Sequence, residues 1–263
     1  MNLMGSEGEL QRNLKNVGVE KVALFGGRLE IFQPRRGYRF SLEALLVAGF
    51  VRLRGRERVL DLGAGCGVIA AVLALRYPAA RIVALEIQEI LVRALGLTVQ
   101  ENDLRARVFP VRGDLRRLPL KAGCFEAVVA HPPFKPPQSG RIPPETSHLL
   151  ARTEILASLE DFLQAARRAL KTGGRLFMIH TALRLAEVLA ELRHRDLAPR
   201  RLRLVHPAPG EEARFFLVEA VAGGRCETRV EPPLYLHQSP GGAYSPELKY
   251  FFERPEEGFG PRP

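Results

Sequence analysis

Long apolar runs are missing from this 263-residue chain. No stretch reaches the roughly 18 to 20 residues that cross a bilayer as a helix. The first segment, MNLMGSEGELQRNLKN, has no apolar core of the kind a secretion signal needs. A membrane protein and an exported protein are both disfavoured, and a cytoplasmic location is expected. Cysteine is also scarce: Cys66, Cys124 and Cys226 lie far apart and form no Cys-x-x-Cys pair. That spacing fits reduced thiols and argues against a structural zinc site, so no metal is expected. Internal repeats and low-complexity tracts are absent as well.

Positive charge is abundant. The net charge is +10, and arginine outnumbers lysine by 33 to 6. The planar guanidinium fork suits phosphates and stacks on bases, which makes a nucleic-acid partner one reading. Heat adaptation or compositional bias on a solvated surface is the other.

The length and a hydrophobic content of 46% suffice for one large α/β domain with a small extension. Residues 22–33, VALFGGRLEIFQ, read as a hairpin around Gly26-Gly27. Ser41 is placed to cap a helix over SLEALLVAGFVRL. From Arg56 onward, short apolar runs (RVLDL, RIVALE, RVFPVR, FEAVVA, RLFMIHT) alternate with helical stretches at 67–77, 88–101, 154–171 and 182–194. Continuous apolar strands alternating with helices indicate a parallel sheet covered on both faces. RRLRLVH and RFFLVEAV are joined by too short a loop to be parallel, so the sheet gains an antiparallel end. The boundaries expected are a hairpin and helix extension over 1–55 that roofs the site, a main domain over 56–253 and a flexible tail over 254–263.

VLDLGAGCG runs a strand into Gly63, Gly65 and Gly67 and then a helix. Glycines let such a turn bring backbone close to a ligand at the helix N-terminus. Asp61, two residues before the first glycine, is awkward for a pyrophosphate and suits a ligand with an ammonium group. Glu86 ends the second strand, where a carboxylate can accept both hydroxyls of a ribose. Asp114 follows the third strand at the height of an adenine amino group. Each acid alone could be a helix cap or a solvated charge. Together, on the carboxyl ends of successive strands, they point to one nucleoside-bearing ligand.

DLGAGCG, ALEIQ and GDL resemble the cofactor motifs of class I S-adenosylmethionine-dependent methyltransferases. The resemblance implies a Rossmann-like, seven-stranded, mostly parallel sheet whose last strand is antiparallel. It also implies S-adenosylmethionine as cofactor, with S-adenosylhomocysteine as product. Asp61 and the loop Gly63–Gly67 would flank the methionine part, Glu86 would hold the ribose, and Asp114 with Leu115 would frame the adenine.

The fourth strand ends VVAHPPF. Amino-directed members of the superfamily carry Asn-Pro-Pro-Tyr/Phe here. Two acceptors take the N–H bonds of an exocyclic amine and turn its lone pair toward the methyl, while the aromatic stacks on the base. This chain has His131-Pro132-Pro133-Phe134. Neutral imidazole offers one acceptor nitrogen and the imidazolium none, so only the neutral form can replace asparagine.

The flanks QPRRGYRFSLEALLVAGF and YSPELKYFFE are similar to bacterial enzymes that methylate N6 of the adenine beside the anticodon of a valine tRNA. That resemblance implies tRNA as substrate, with Glu43 packed over the cofactor. Candidate RNA contacts are Arg35, Arg36, Arg39, Lys135, Arg141, Arg200, Arg201 and Arg203. Alternatives stay open: a guanine amino group in rRNA, a protein glutamine, or a catalytically idle relative that binds cofactor and RNA.

Overall fold

The computed structural model describes residues 18–37, 39–134, 157–225 and 227–259. β1 (Val19–Leu24) and β2 (Leu29–Pro34) form the expected antiparallel hairpin. It docks on α3 (Glu89–Glu101): Asn102 receives the Glu30 amide at 2.9 Å, and Thr98 Oγ1 receives that of Phe32 at 3.0 Å. α1 (Leu42–Phe50) follows. Ser41 sits at its N-cap position with extended backbone, but its side chain makes no capping hydrogen bond.

The main sheet is built from β3 (Arg58–Leu62), β4 (Arg81–Glu86), β5 (Val108–Arg112), β6 (Phe125–Ala130), β7 (Leu170–Thr181), β8 (Leu197–His206) and β9 (Phe215–Ala222). Their spatial order is β5-β4-β3-β6-β7-β9-β8, parallel except for β9. The antiparallel strand is therefore last in sequence yet interior, inserted between β7 and β8. Two short strands, β10 (Arg229–Val230) and β11 (Leu234–Tyr235), extend the outer edge of β8. The sheet thus has nine strands, where the resemblance implied seven.

Alternation along the buried strands feeds two cores. Val59, Ala127, Val129, Phe177 and Ile179 pack with α1, α2 (Val68–Arg76) and α3. Leu60, Leu62, Val128, Leu176 and Met178 pack on the other face with α4 (Leu159–Ala169) and α5 (Leu185–His194). α4 opens on a capping box: Ser158 Oγ accepts the Asp161 amide at 3.2 Å, and Asp161 accepts that of Ser158 at 2.8 Å. Among the described residues no helix is long and apolar enough to cross a membrane.

The segment expected to be a loose tail is packed as far as it is described. After α6 (Pro246–Glu253), Phe259 is buried against Phe251, with ring centroids 4.6 Å apart, and its amide donates to Gly49 O at 3.0 Å. Proline and glycine density suggested looseness, but one buried aromatic anchors the segment. A Cβ on Gly49 would lie 2.5 Å from the Phe259 ring. Gly49→Ala should therefore lower stability by about 1–3 kcal/mol in urea unfolding, because overpacking outweighs the helix-propensity gain of about 1 kcal/mol. In a Phe259→Ala background the same change should be neutral or stabilising.

Candidate functional site

The carboxyl ends of β3, β4, β5 and β6 converge on a cavity of about 440 Å³. Its wall includes Gly63, Gly65, Glu86, Asp114, Leu115 and the whole His131–Phe134 stretch. The start of α1 closes another side through Ser41 and Glu43, with Arg39 beside them. Of the extension expected to roof the site, this short segment reaches the cavity; the hairpin itself sits on α3.

The turn after β3 is shaped by backbone. The amides of Gly63 and Ala64 both donate to Leu85 O at 2.9 Å, and Gly67, at φ 85°, stands at the N-cap of α2. A Cβ on Gly67 would lie 2.2 Å from Leu95 Cδ1, so both conformation and space require glycine there. Glu86 ties the turn to the next helix. Its Oε2 accepts the Gly65 amide at 2.9 Å, and its Oε1 accepts those of Ile87 and Gln88, each at 2.9 Å. Burial raises the Glu86 pKa, with the three amides pulling the other way.

Asp61 is fully buried beneath the turn and is not on the cavity wall. Neither carboxylate oxygen has a hydrogen-bond partner. Burial pushes its pKa up to about 7. The Ala70 amide pulls it down without closing a hydrogen bond, and the Glu86 charge adds to the rise. Asp114 caps a short 3-10 turn over Leu115–Arg117 and grips Arg116, whose Nε lies 2.9 Å from Oδ1. That bond holds the Asp114 carboxyl below its ordinary range.

At the tip of β6 the rings form a cluster. Phe134 stands 5.3 Å from His131, 5.1 Å from His180 and 5.5 Å from Phe215, measured between centroids. Arg184 donates to Phe134 O at 3.3 Å. Burial lowers the pKa of His131, and the Glu43 carboxylate opposes that shift. His180 is buried and pushed down to about 4, by burial first and by Arg184 next. Its Nδ1 accepts the Thr181 amide at 2.9 Å, which places the proton of the neutral ring on Nε2, an atom with no partner. Among the described residues no group of three or more His, Cys, Asp or Glu side chains could hold a metal ion.

The basic candidates divide. Arg36 is exposed, Arg35 donates to Val19 O at 3.1 Å, and Arg39 pairs with Glu20 at 2.6 Å on the cavity rim. Arg200 is exposed. Lys135 and Arg141 lie outside the described residues. Arg201 and Arg203, expected as RNA contacts, are buried instead. Arg201 pairs with Glu219 at 2.8 Å and lies over the Phe50 ring at 3.7 Å, and Arg203 pairs with Glu247 at 2.7 Å. Chain from 231 to 247 folds back over that face, so both serve the fold. The sequence reading also missed apolar wall residues, Ile87, Leu91 and Phe162. Their apolar periodicity marks them as core, and only convergence in space makes them wall.

The residues present fit S-adenosylmethionine. Two glycine backbones stand on the wall, a strand-end carboxylate keeps a spare lone pair, and an unpartnered acid lies behind the turn. Comparison with known proteins agrees. The model of the methyltransferase small domain matches residues 42–194. A tRNA1(Val) (adenine(37)-N6)-methyltransferase of Porphyromonas gingivalis is 28% identical over 73% of this chain and 76% of its own. A ribosomal RNA small subunit methyltransferase C of Shewanella denitrificans is 36% identical over 34% of this chain and 24% of its own. The fold is shared with a crystal structure of a predicted O-methyltransferase from Agrobacterium tumefaciens, with a TM-score of 0.66 and 23% identity over 81% of this chain and 96% of that one. With more than half of its length matched by one model, the chain belongs to the methyltransferase small domain family.

Proposed function

We propose that the protein transfers the methyl group of S-adenosylmethionine to N6 of an adenine in tRNA. One observation carries this reading: the whole His131-Pro132-Pro133-Phe134 tip shares a cavity with Gly63, Gly65, Glu86 and Asp114. The tRNA relative, similar over most of both chains, favours that substrate over the rRNA relative, which matches about a third of this one.

The cofactor supplies an electrophilic sulfonium methyl. Glu86 spends three of its about four lone-pair sites on backbone amides and keeps one for a ribose hydroxyl. Asp114 and Leu115, with Ile87 opposite, frame a planar base. Neutral His131 accepts one N–H of the incoming amine through its single unprotonated nitrogen, and a carbonyl of the Pro132-Pro133 turn accepts the other. The lone pair then points away from both acceptors, toward the methyl. Methylation acidifies the amine, so its surplus proton leaves to solvent and His131 serves as the acceptor that positions the nitrogen. Phe134, buttressed by His180 and Phe215, offers its ring to the base.

Two measurements test these assignments. Glu86→Ala should weaken S-adenosylmethionine binding about ten- to a hundredfold by calorimetry, since hydrogen bonds to a charged group contribute roughly 1.5–3 kcal/mol. An unchanged affinity would remove Glu86 from the site. Methyl-labelled cofactor incubated with undermodified tRNA and, separately, with rRNA should label the tRNA. Nuclease digestion and mass spectrometry should then give N6-methyladenosine. Label confined to guanine N2 of rRNA, or to protein glutamine, would overturn the substrate assignment.

A further inference from the structure

A second opening lies on the other edge of the sheet. A groove of about 940 Å³ is lined where β7 and β8 begin and β9 ends. β7 runs parallel to β6, so Arg175 in this groove and His180 near the cavity stand at different levels of one strand. Five residues separate them, about 17 Å at the rise of a strand.

Arginine dominates the groove. Seven arginines face three glutamates along its wall. Three form the floor. Arg175 is held by Glu57 at 2.7 Å, and Arg201 and Arg52 both lean on Glu231, at 3.4 and 3.0 Å. The floor is incompletely satisfied, because Arg52 Nε is buried with no hydrogen-bond partner. Arg52 and Arg201 also repel one another, which adds to the burial that lowers the Arg201 pKa. On the rim stand Arg54, Arg200, Arg225 and Arg229, all exposed, and among the described residues no carboxylate lies within ion-pair distance of any of them.

A surface rich in arginine by composition alone would scatter its charges among partners, as Arg93 and Arg112 share Glu89 on α3. Here four unneutralised guanidinium groups surround one concavity whose floor has an unsatisfied donor. A single small anion would meet only a fraction of them. Successive phosphates could meet all of them, each taken bidentately by a planar fork.

We propose that this groove is a second binding site, separate from the methyl-transfer cavity, for a ligand bearing a row of linked phosphates. Two sources have that chemistry, the backbone of an RNA substrate and a free oligophosphate. The site stands independently of which base is methylated.

The test uses the full chain and the triple variant Arg54→Ala/Arg225→Ala/Arg229→Ala, which leaves the buried floor intact. Tripolyphosphate binding is read by calorimetry at about 0.15 M salt, and tRNA binding by fluorescence anisotropy across a salt series. The wild type should bind tripolyphosphate and the variant at least tenfold more weakly, with S-adenosylmethionine affinity unchanged. If RNA is the source, tRNA affinity falls as well, and the slope of log K against log salt shrinks by about two to three, near 0.7–0.9 for each phosphate no longer neutralised. If a free oligophosphate is the source, tRNA binding stays and only tripolyphosphate binding is lost. Both results support the site. A triple Arg→Lys variant controls for folding and should recover part of the affinity. Tripolyphosphate that fails to bind the wild type, or binds the alanine variant equally well, overturns the proposal.

Discussion

His131→Ala should reduce methyl transfer a hundred- to a thousandfold while leaving S-adenosylmethionine affinity within about twofold of wild type. A lost polar partner in a transition state costs roughly 2.7–4 kcal/mol. His131 stands on the wall of the cavity, whereas the carboxylate proposed to hold the ribose is on β4. Rate and cofactor binding therefore separate. His131→Asn should retain most of the activity, because the amide carbonyl supplies the same acceptor. The two enzymes should part on pH. Burial lowers the His131 pKa, so the neutral, accepting ring persists below pH 6.5 and activity falls only on the acid side of that value. The asparagine variant should show no such limb. Single-turnover rates from about pH 5 to 8.5 would resolve it. Equal acid limbs in both enzymes, or a harmless His131→Ala change, would remove the histidine from the chemistry.

The second large effect concerns Asp61. Its folded-state pKa of about 7 lies above that of the unfolded chain, near 3.9. For an acid, a raised folded value means that ionisation opposes folding. Stability is greatest while Asp61 is protonated in both states. It declines as pH climbs from about 4 through 7 and then levels off, with a loss of order 2–4 kcal/mol. Asp61→Asn should abolish that decline, making the cofactor-free protein more stable than wild type by about that amount at pH 8 and nearly equal at pH 4. The same substitution should weaken cofactor binding, because the buried charge sets a negative field under the glycine turn that an ammonium group relieves. Wild type should then release a proton on binding near pH 6.5, visible in calorimetry as a heat that depends on the buffer. Urea unfolding at two pH values supplies the other half. Parallel stability profiles for the two proteins would contradict the account.

Much of this architecture was legible because its determinants are local. RVLDL, RIVALE and FEAVVA match β3, β4 and β6 residue for residue, since short runs rich in branched apolar residues and bounded by charged and turn residues favour a buried strand. The acids at strand ends were equally readable, and six candidate positions of the cofactor set (Glu43, Gly63, Gly65, Glu86, Asp114 and Leu115) lie on one cavity. Failures arose where the deciding partner is remote in sequence. Arg201 and Arg203 look like an exposed edge until Glu231 and Glu247 arrive from 30 and 44 residues downstream. Phe259 reads as tail until Gly49 offers it a flat helix surface. Asp61 sits on β3 just before the turn, and its complete burial depends on the packing under the glycines, which no residue spacing encodes.

The interior position of β9 has a consequence for assembly. Among the described residues β8 joins β7 and the strands beyond it only through β9, yet the chain makes β8 first. Until residues near 222 are available, β7 presents an unpaired edge and β8 has no slot to enter. The β8–β9 hairpin must therefore form and dock as a unit, late, on a half-sheet that already contains the whole methyl-transfer cavity. Refolding should show an early phase that creates cofactor binding and a slower one that buries Phe216 and Val218. Substitutions in β8 should slow the second phase and spare the first.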